Sequence, residues 1–227
     1  MKKVRIVFAA ALFLVANMAI AQFSVGIKTG VNFNNIAETE ALDALTPEFQ
    51  QLIGFNIGAI AELDVNEHFS IQPELTYTQK GFKLDEGTNV DLFNIPLPVG
   101  VVARSKFSYI EMPLLFKGKV GDEKVKGFLL AGPSIGYAVD GQLTTTARAL
   151  FEFQVLDQDL NLNSIGYERF EATGIVGGGA EFAVPAGKVF VDARYQFGFT
   201  QLYDIPVFNE KIKNRGVSLN VGYAMAF

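Results

Sequence analysis

A chain of 227 residues with no cysteine and a formal charge of −5 has no disulfide framework and no thiolate metal site. Its acidic balance argues against nucleic acid as a partner, because phosphate neutralisation needs clustered Lys and Arg. Yet 49% of the residues are hydrophobic and 21 are Phe, a greasy composition for a water-soluble domain.

The first element is a leader. Lys2, Lys3 and Arg5 precede an apolar run from Ile6 to Ala16, and Ala19-Ile20-Ala21 stands before Gln22. A basic start, a short apolar stretch and an A-x-A end predict a secretory signal peptide over residues 1–21, cut after Ala21 and too short to be a good spanning helix. No cysteine follows that site, which excludes a lipoprotein anchor. Residues 22–227 then form one domain, and losing three basic residues takes the formal charge from −5 to −8. No second apolar stretch of about 18 residues follows, so any further crossing of a bilayer falls to alternating strands.

Eight segments alternate with a period of two, the mark of strands whose faces meet different surroundings. FSVGIKTGVNF sets Phe23, Val25, Ile27, Val31 and Phe33 against Ser24, Gly26, Lys28, Gly30 and Asn32. GFNIGAIAEL sets Phe55, Ile57, Ala59, Ala61 and Leu63 against Asn56, Gly58, Ile60 and Glu62. In FSIQPELTYTQKG, Phe69, Ile71, Leu75 and Tyr77 oppose Ser70, Gln72, Glu74, Thr76, Thr78 and Lys80. In SYIEMPLLFKG, Ile110, Met112, Leu114 and Phe116 oppose Tyr109, Glu111, Pro113, Leu115 and Lys117. GFLLAGPSIGYAV alternates poorly, and its faces stay unassigned. ATGIVGGGAEF places Val176, Ala180 and Phe182 opposite Thr173, Gly177, Gly179 and Glu181. VFVDARYQFGFT separates Val189, Val191, Ala193, Tyr195, Phe197 and Phe199 from Phe190, Asp192, Arg194, Gln196, Gly198 and Thr200. GVSLNVGYAMAF sets Val217, Leu219, Val221, Tyr223, Met225 and Phe227 against Ser218, Asn220, Gly222, Ala224 and Ala226.

The connections alternate in length. Residues 34–53, 82–107 and 140–170 are long, residues 64–68, 119–126 and 185–188 are short, and residues 201–213 are intermediate. An even number of strands of about ten residues, with short turns at one rim and long loops at the other, predicts an all-β fold. It is an eight-stranded antiparallel up-and-down transmembrane β-barrel with both termini on the periplasmic side. Within the first long connection Thr46 is a candidate helix cap, with Pro47 at the first helical position.

A soluble, lipocalin-like binding barrel is the alternative, with the greasy face turned inward. The polar face of the last strand, Ser218, Asn220, Gly222, Ala224 and Ala226, carries no charge, unlike an ordinary solvated wall. Small residues suit a crowded lumen instead, because they let an eight-stranded barrel close around its few large interior side chains. The charges on the polar faces come in both signs: Lys28, Glu62, Glu74, Lys80, Glu111, Lys117, Glu181, Asp192 and Arg194. Inside a narrow barrel they are expected to pair as a structural ionic network, since breaking a buried pair costs about 3–5 kcal/mol.

Five stretches resemble, in order, the PorT-like outer-membrane β-barrel family of Bacteroidota, a porin family. They are IQPELTYTQKG at 71–81, YIEMPLLFKGK at 109–119, LLAGPSIGY at 129–137, DARYQFGFTQL at 192–202 and KNRGVSLNVGY at 213–223. The resemblance spans essentially the whole mature chain and implies an eight-stranded barrel of OmpA/OmpX-like size in the bacterial outer membrane. The last strand, with Tyr223 and terminal Phe227, looks like the insertion signal read by the barrel-assembly machinery. One branch of the family assists secretion across the outer membrane, and no residue here singles out that branch.

Nothing in the sequence assembles a catalytic, cofactor or metal site. His68, the single histidine, falls in a short turn without a Ser or Asp constellation. The run Gly177-Gly178-Gly179 lacks the Lys-Ser or Lys-Thr pair and the following helix of a phosphate loop, and reads as strand glycines beside bulky lumen neighbours. Glu38, Glu40, Asp43 and Glu48 lack Ca²⁺-loop spacing and read as a solvated acidic loop. Leu150, Phe151, Phe153, Val155, Leu156 and Leu160 either mark a partner site or fold down over the rim. The expectation is a non-enzymatic barrel embedded in the lipid bilayer, its lumen plugged by side chains and its long loops reaching an outer-membrane or surface protein partner. A narrow channel or small-ligand transport barrel, with a wet path past Glu74, Glu111, Lys117 and Arg194, is the alternative.

Overall fold

Long alternating strands leave unpaired backbone groups at any open sheet edge, and closing the sheet on itself removes those edges. The structure is a computed structural model that describes residues 23–37, 49–92, 95–148, 152–160, 162, 167–200 and 213–227. The leader, the Thr46-Pro47 helix start, the four-carboxylate acidic loop, Leu150 and Phe151 lie outside the described residues.

Among the described residues nine strands form: β1 (Phe23–Ala37), β2 (Phe49–Asn66), β3 (Phe69–Leu92), β4 (Ile95–Gly121), β5 (Val125–Arg148), β6 (Glu152–Asp159), β7 (Phe170–Val184), β8 (Gly187–Gly198) and β9 (Lys213–Ala226). Eight of them close an antiparallel ring in which β5 pairs β7 directly and β9 returns to β1, from Ser24 opposite Ala226 to Ala37 opposite Lys213. The ninth, β6, stays outside the ring and pairs with the far half of β5, from Gln142 opposite Asp159 to Arg148 opposite Glu152.

All three long connections differ from expectation. Within residues 34–53, β1 runs on to Ala37 and β2 begins at Phe49. Residues 82–107 are not a loop: β3 and β4 continue as one hairpin until Leu92 faces Ile95. Residues 140–170 hold the end of β5 and all of β6. Beyond the ring neither face of a strand meets lipid, so no two-residue alternation is imposed on the sequence there. Together β3, β4, β5 and β6 make a sheet that rises above one side of the ring.

At the opposite rim the turns are tight. Gly121 takes φ +145°, and a Cβ there would sit 2.3 Å from the Val125 carbonyl oxygen. The next residue, Asp122, accepts the backbone N–H groups of Lys124 and Val125 at 2.8 Å each, and these donors hold its carboxyl below the ordinary range.

The outer wall is apolar. Ile27, Ile57, Leu75, Leu114, Leu129, Ile135, Val191 and Leu219 all point outward and are exposed. Near the short-turn rim the wall carries Phe23 beside Phe227 and Phe69 stacked on Phe116. Tyr223 belongs to the same belt and donates its hydroxyl to the Ala186 carbonyl at 2.9 Å. Farther up stand Phe55 beside Tyr77 and the row Tyr195, Phe197 and Phe199. Phe69 and Tyr77 are eight residues apart on one strand, about 26 Å along it and about 20 Å in height at the usual barrel tilt. Two aromatic belts bounding an uncharged apolar band are the marks of a bilayer-spanning barrel wall.

β5, whose faces the sequence left open, turns Phe128, Leu130, Ser134 and Ala138 inward and Leu129, Ile135 and Tyr137 outward. Apolar residues stand on both of its faces, which hid the alternation. The glycine run of β7 gives room to the lumen: a Cβ on Gly177 would meet Arg194 Cα at 3.0 Å, and one on Gly179 would meet Asp192 Cβ at 2.8 Å.

Leu114→Arg, on the outer band opposite Pro73, is expected to destabilise the barrel in lipid vesicles by about 2–4 kcal/mol, read as a lowered urea midpoint. On a water-exposed wall the same change would stay within about 0.5 kcal/mol.

Candidate functional site

Inside the ring the polar faces of eight strands converge on a space just wide enough for their own side chains. Lys28, Glu62, Glu74, Lys80, Glu111, Lys117, Glu181, Asp192 and Arg194 are all buried there, and each forms at least one ion pair. They fall into three clusters.

The lowest, at the short-turn rim, centres on Glu62. Lys117 reaches Glu62 at 3.1 Å and Glu181 at 2.7 Å, Lys188 reaches Glu62 at 2.8 Å, and Lys119 bridges Glu62 and Asp64. Ser70 adds a hydroxyl donor to Glu62 at 2.9 Å. Lys117 also stands 4.1 Å from the centre of the Phe128 ring. That ring belongs to an apolar cluster with Ile60, Leu115, Leu130, Ile175, Phe190 and Ala224, which fills the interior wherever charge does not.

The middle cluster is the tightest. Arg194 forms a fork on Asp192, with Nε and Nη2 each 2.8 Å from a carboxylate oxygen, and Nη1 lies 2.9 Å from both oxygens of Glu74. Lys28 completes Glu74 at 2.7 Å, and Gln72 donates to it at 2.6 Å. Asn220 donates to Asp192 at 2.6 Å and accepts from Asn56 at 2.9 Å, and Asn56 also donates to Asn32 at 2.7 Å. A belt of amides thus ties the charges to β1, β2, β8 and β9.

In the upper cluster Lys80 lies between Glu111 at 2.5 Å and Glu171 at 2.7 Å. Gln196 donates to Glu111 and Asn214 to Glu171. Above it an aromatic layer closes the mouth: Phe107 stacks on Tyr167 with ring centres 4.4 Å apart, and the Tyr109 and Tyr167 hydroxyls are hydrogen-bonded. Leu162 joins this layer, with Phe82 and Leu160 packed against it. Of the apolar residues between Leu143 and Phe170, Leu160 therefore folds over the rim, whereas Val155 and Leu156 remain exposed on β6.

Four charged members of these clusters escape a reading of the sequence alone: Asp64, Lys119, Glu171 and Lys188. Each lies two residues along its strand from an inward-facing residue, so carrying the alternation farther would have found them. His68 is exposed in the turn between β2 and β3, where its backbone N–H donates to Asn66. Among the described residues no group of three or more His, Asp or Glu side chains could hold a metal ion.

Arg194→Ala leaves Asp192 and half of Glu74 facing the lumen without a counter-charge. The expected loss is about 3–5 kcal/mol in urea unfolding from vesicles, several-fold more than for an exposed ion pair.

The model of the outer membrane protein beta-barrel domain matches residues 16–204. No curated protein matches the chain. Among solved structures, Neisserial surface protein A is 12% identical with a TM-score of 0.47, covering 88% of this chain and 96% of its own. The outer membrane protein OprG from Pseudomonas aeruginosa is 9% identical with a TM-score of 0.48, covering 91% and 96%. Ail, the attachment invasion locus protein of Yersinia pestis, is 14% identical with a TM-score of 0.41, covering 89% and 98%. With the domain match running over most of its length, the chain belongs to the outer membrane protein β-barrel domain family and resides in the bacterial outer membrane.

Proposed function

We propose that this protein is a plugged barrel with a structural or partner-binding role, and that it does not serve as a diffusion channel. The observation that carries the reading is the filling of the lumen by three ion-pair clusters, an apolar cluster that begins beside the lowest of them and an aromatic layer at the mouth. Open diffusion pores take about 16 strands, and eight leave space that side chains fill. No reaction is assigned to the chain.

The sheet of β3 to β6 is the surface on which a partner would dock, since it rises clear of the ring on the side away from the termini. The same reading gives residues 1–21 the role of a leader removed on export. It puts the chain in the PorT-like group of Bacteroidota barrels, with an accessory role in secretion as its narrowest form. Tyr223 and Phe227 serve as the contact read by the barrel-assembly machinery, and Phe227 is free to do so, at 74% exposure.

Purified protein in planar bilayers is expected to give no stepwise conductance. Steps whose ion preference changes in Arg194→Ala would instead establish a narrow channel. For the insertion contact, Tyr223→Ala with Phe227→Ala is expected to slow assembly several-fold in vesicles that carry the assembly machinery, while spontaneous refolding into detergent keeps its rate. Equal slowing in both would remove the machinery from the account.

A further inference from the structure

The upper cluster is out of balance. The lower cluster pairs Lys117, Lys119 and Lys188 with Glu62, Asp64 and Glu181, and the middle one pairs Lys28 and Arg194 with Glu74 and Asp192. In the upper cluster, among the described residues, Lys80 alone forms ion pairs with Glu111 and Glu171. Among the described residues the upper cluster is therefore short of one positive charge, a costly state in a low-dielectric interior.

Beside it lies a cavity of about 30 Å³ lined by Asn56, Thr76, Thr78, Glu111, Gln196 and Ser218, among others. Two oxygens of that lining have no partner: Oδ1 of Asn56 and Oγ1 of Thr76, on side chains that are each only 3% exposed. The Asn56 amide gives both its N–H bonds to Asn32 and Asn220, which leaves its oxygen as an unmet acceptor in the lining. Buried acceptors without a donor are rare in folded proteins and mark an occupant.

The lining defines that occupant. It offers oxygen donors, one of them a carboxylate, and the two cations that also line it, Lys28 and Arg194, are neutralised by Glu74 and Asp192. Oxygen donors suit hard cations, and a divalent ion would call for more carboxylates than Glu111 supplies. Water alone would satisfy the two acceptors and leave the surplus charge. We propose that the cavity is an occluded site for a monovalent alkali cation, held by Glu111, Asn56 and Thr76, which completes the charge balance of the lumen.

The test uses the full barrel in detergent, with thermal midpoints measured in NaCl, KCl and N-methylglucamine chloride at equal ionic strength. The midpoint is expected to rise saturably with Na⁺ or K⁺ and not with the organic cation. Glu111→Gln removes the surplus charge and leaves Lys80 paired with Glu171, so it folds, and its response should require at least about tenfold more salt. Thr76→Val, of nearly the same shape, is expected to weaken the response likewise. Crystals soaked in thallium nitrate are expected to show an anomalous peak in the cavity. Equal midpoints in the three salts, equal responses of wild type and both variants, or a cavity without the thallium peak would each overturn the proposal. Water and a proton on the carboxyl pair would then fill the same role.

Discussion

A charge taken out of water must find its opposite within a few ångströms, and the described residues place thirteen such charges in a lumen that bulk water does not fill. That requirement organises the interior. Arg194 can remain buried because Asp192 on its own strand meets two of its nitrogens, while Glu74, 120 residues away in sequence, meets a third. Glu74 in turn ties β3 to β1 through Lys28. Removing one member exposes the others to the same penalty, so the clusters act as cross-braces between strands that share no backbone hydrogen bond.

The outer wall obeys the opposite rule. Hydrocarbon offers no partner for a charge, and among the described residues none stands on the outward positions between the two aromatic belts. A single two-residue period serves both rules at once, with lipid on one side and paired charge on the other. Glycines at 177, 179 and 222 belong to the same economy of space. Each stands where a neighbouring Arg194, Asp192 or Phe190 already occupies the volume a Cβ would need.

Alternation in the sequence is enough to assign the faces of every ring strand but β5, and it puts Asp192 and Arg194 together on the inward side of β8. Height along the barrel was not legible. Parity says that Lys80 and Glu171 point inward, but only the register of β3, β4, β5 and β7 brings them within 2.7 Å. Asp64, Lys119 and Lys188 fall in the stretches that read as short connections, and Glu171 falls one residue before the segment that reads as a strand. The strands run farther than the alternation alone marks. The hairpin beyond Gly81 was lost for a different reason: above the membrane no lipid face forces apolar residues to alternate. The inward Phe128 and Leu130 of β5 concealed that strand's faces, since a lumen with too little charge to fill it takes apolar side chains too.

In the middle cluster Lys28, Glu74, Asp192 and Arg194 work as one coupled unit. A double-mutant cycle on Arg194→Met and Glu74→Gln, followed by urea unfolding from vesicles, measures that coupling directly. The expected coupling lies at about 2–3 kcal/mol, with the double replacement costing less than the sum of the two single ones. Additivity within about 0.5 kcal/mol would mean that the two side chains are solvated independently, and the lumen would then be open to water rather than braced by its charges.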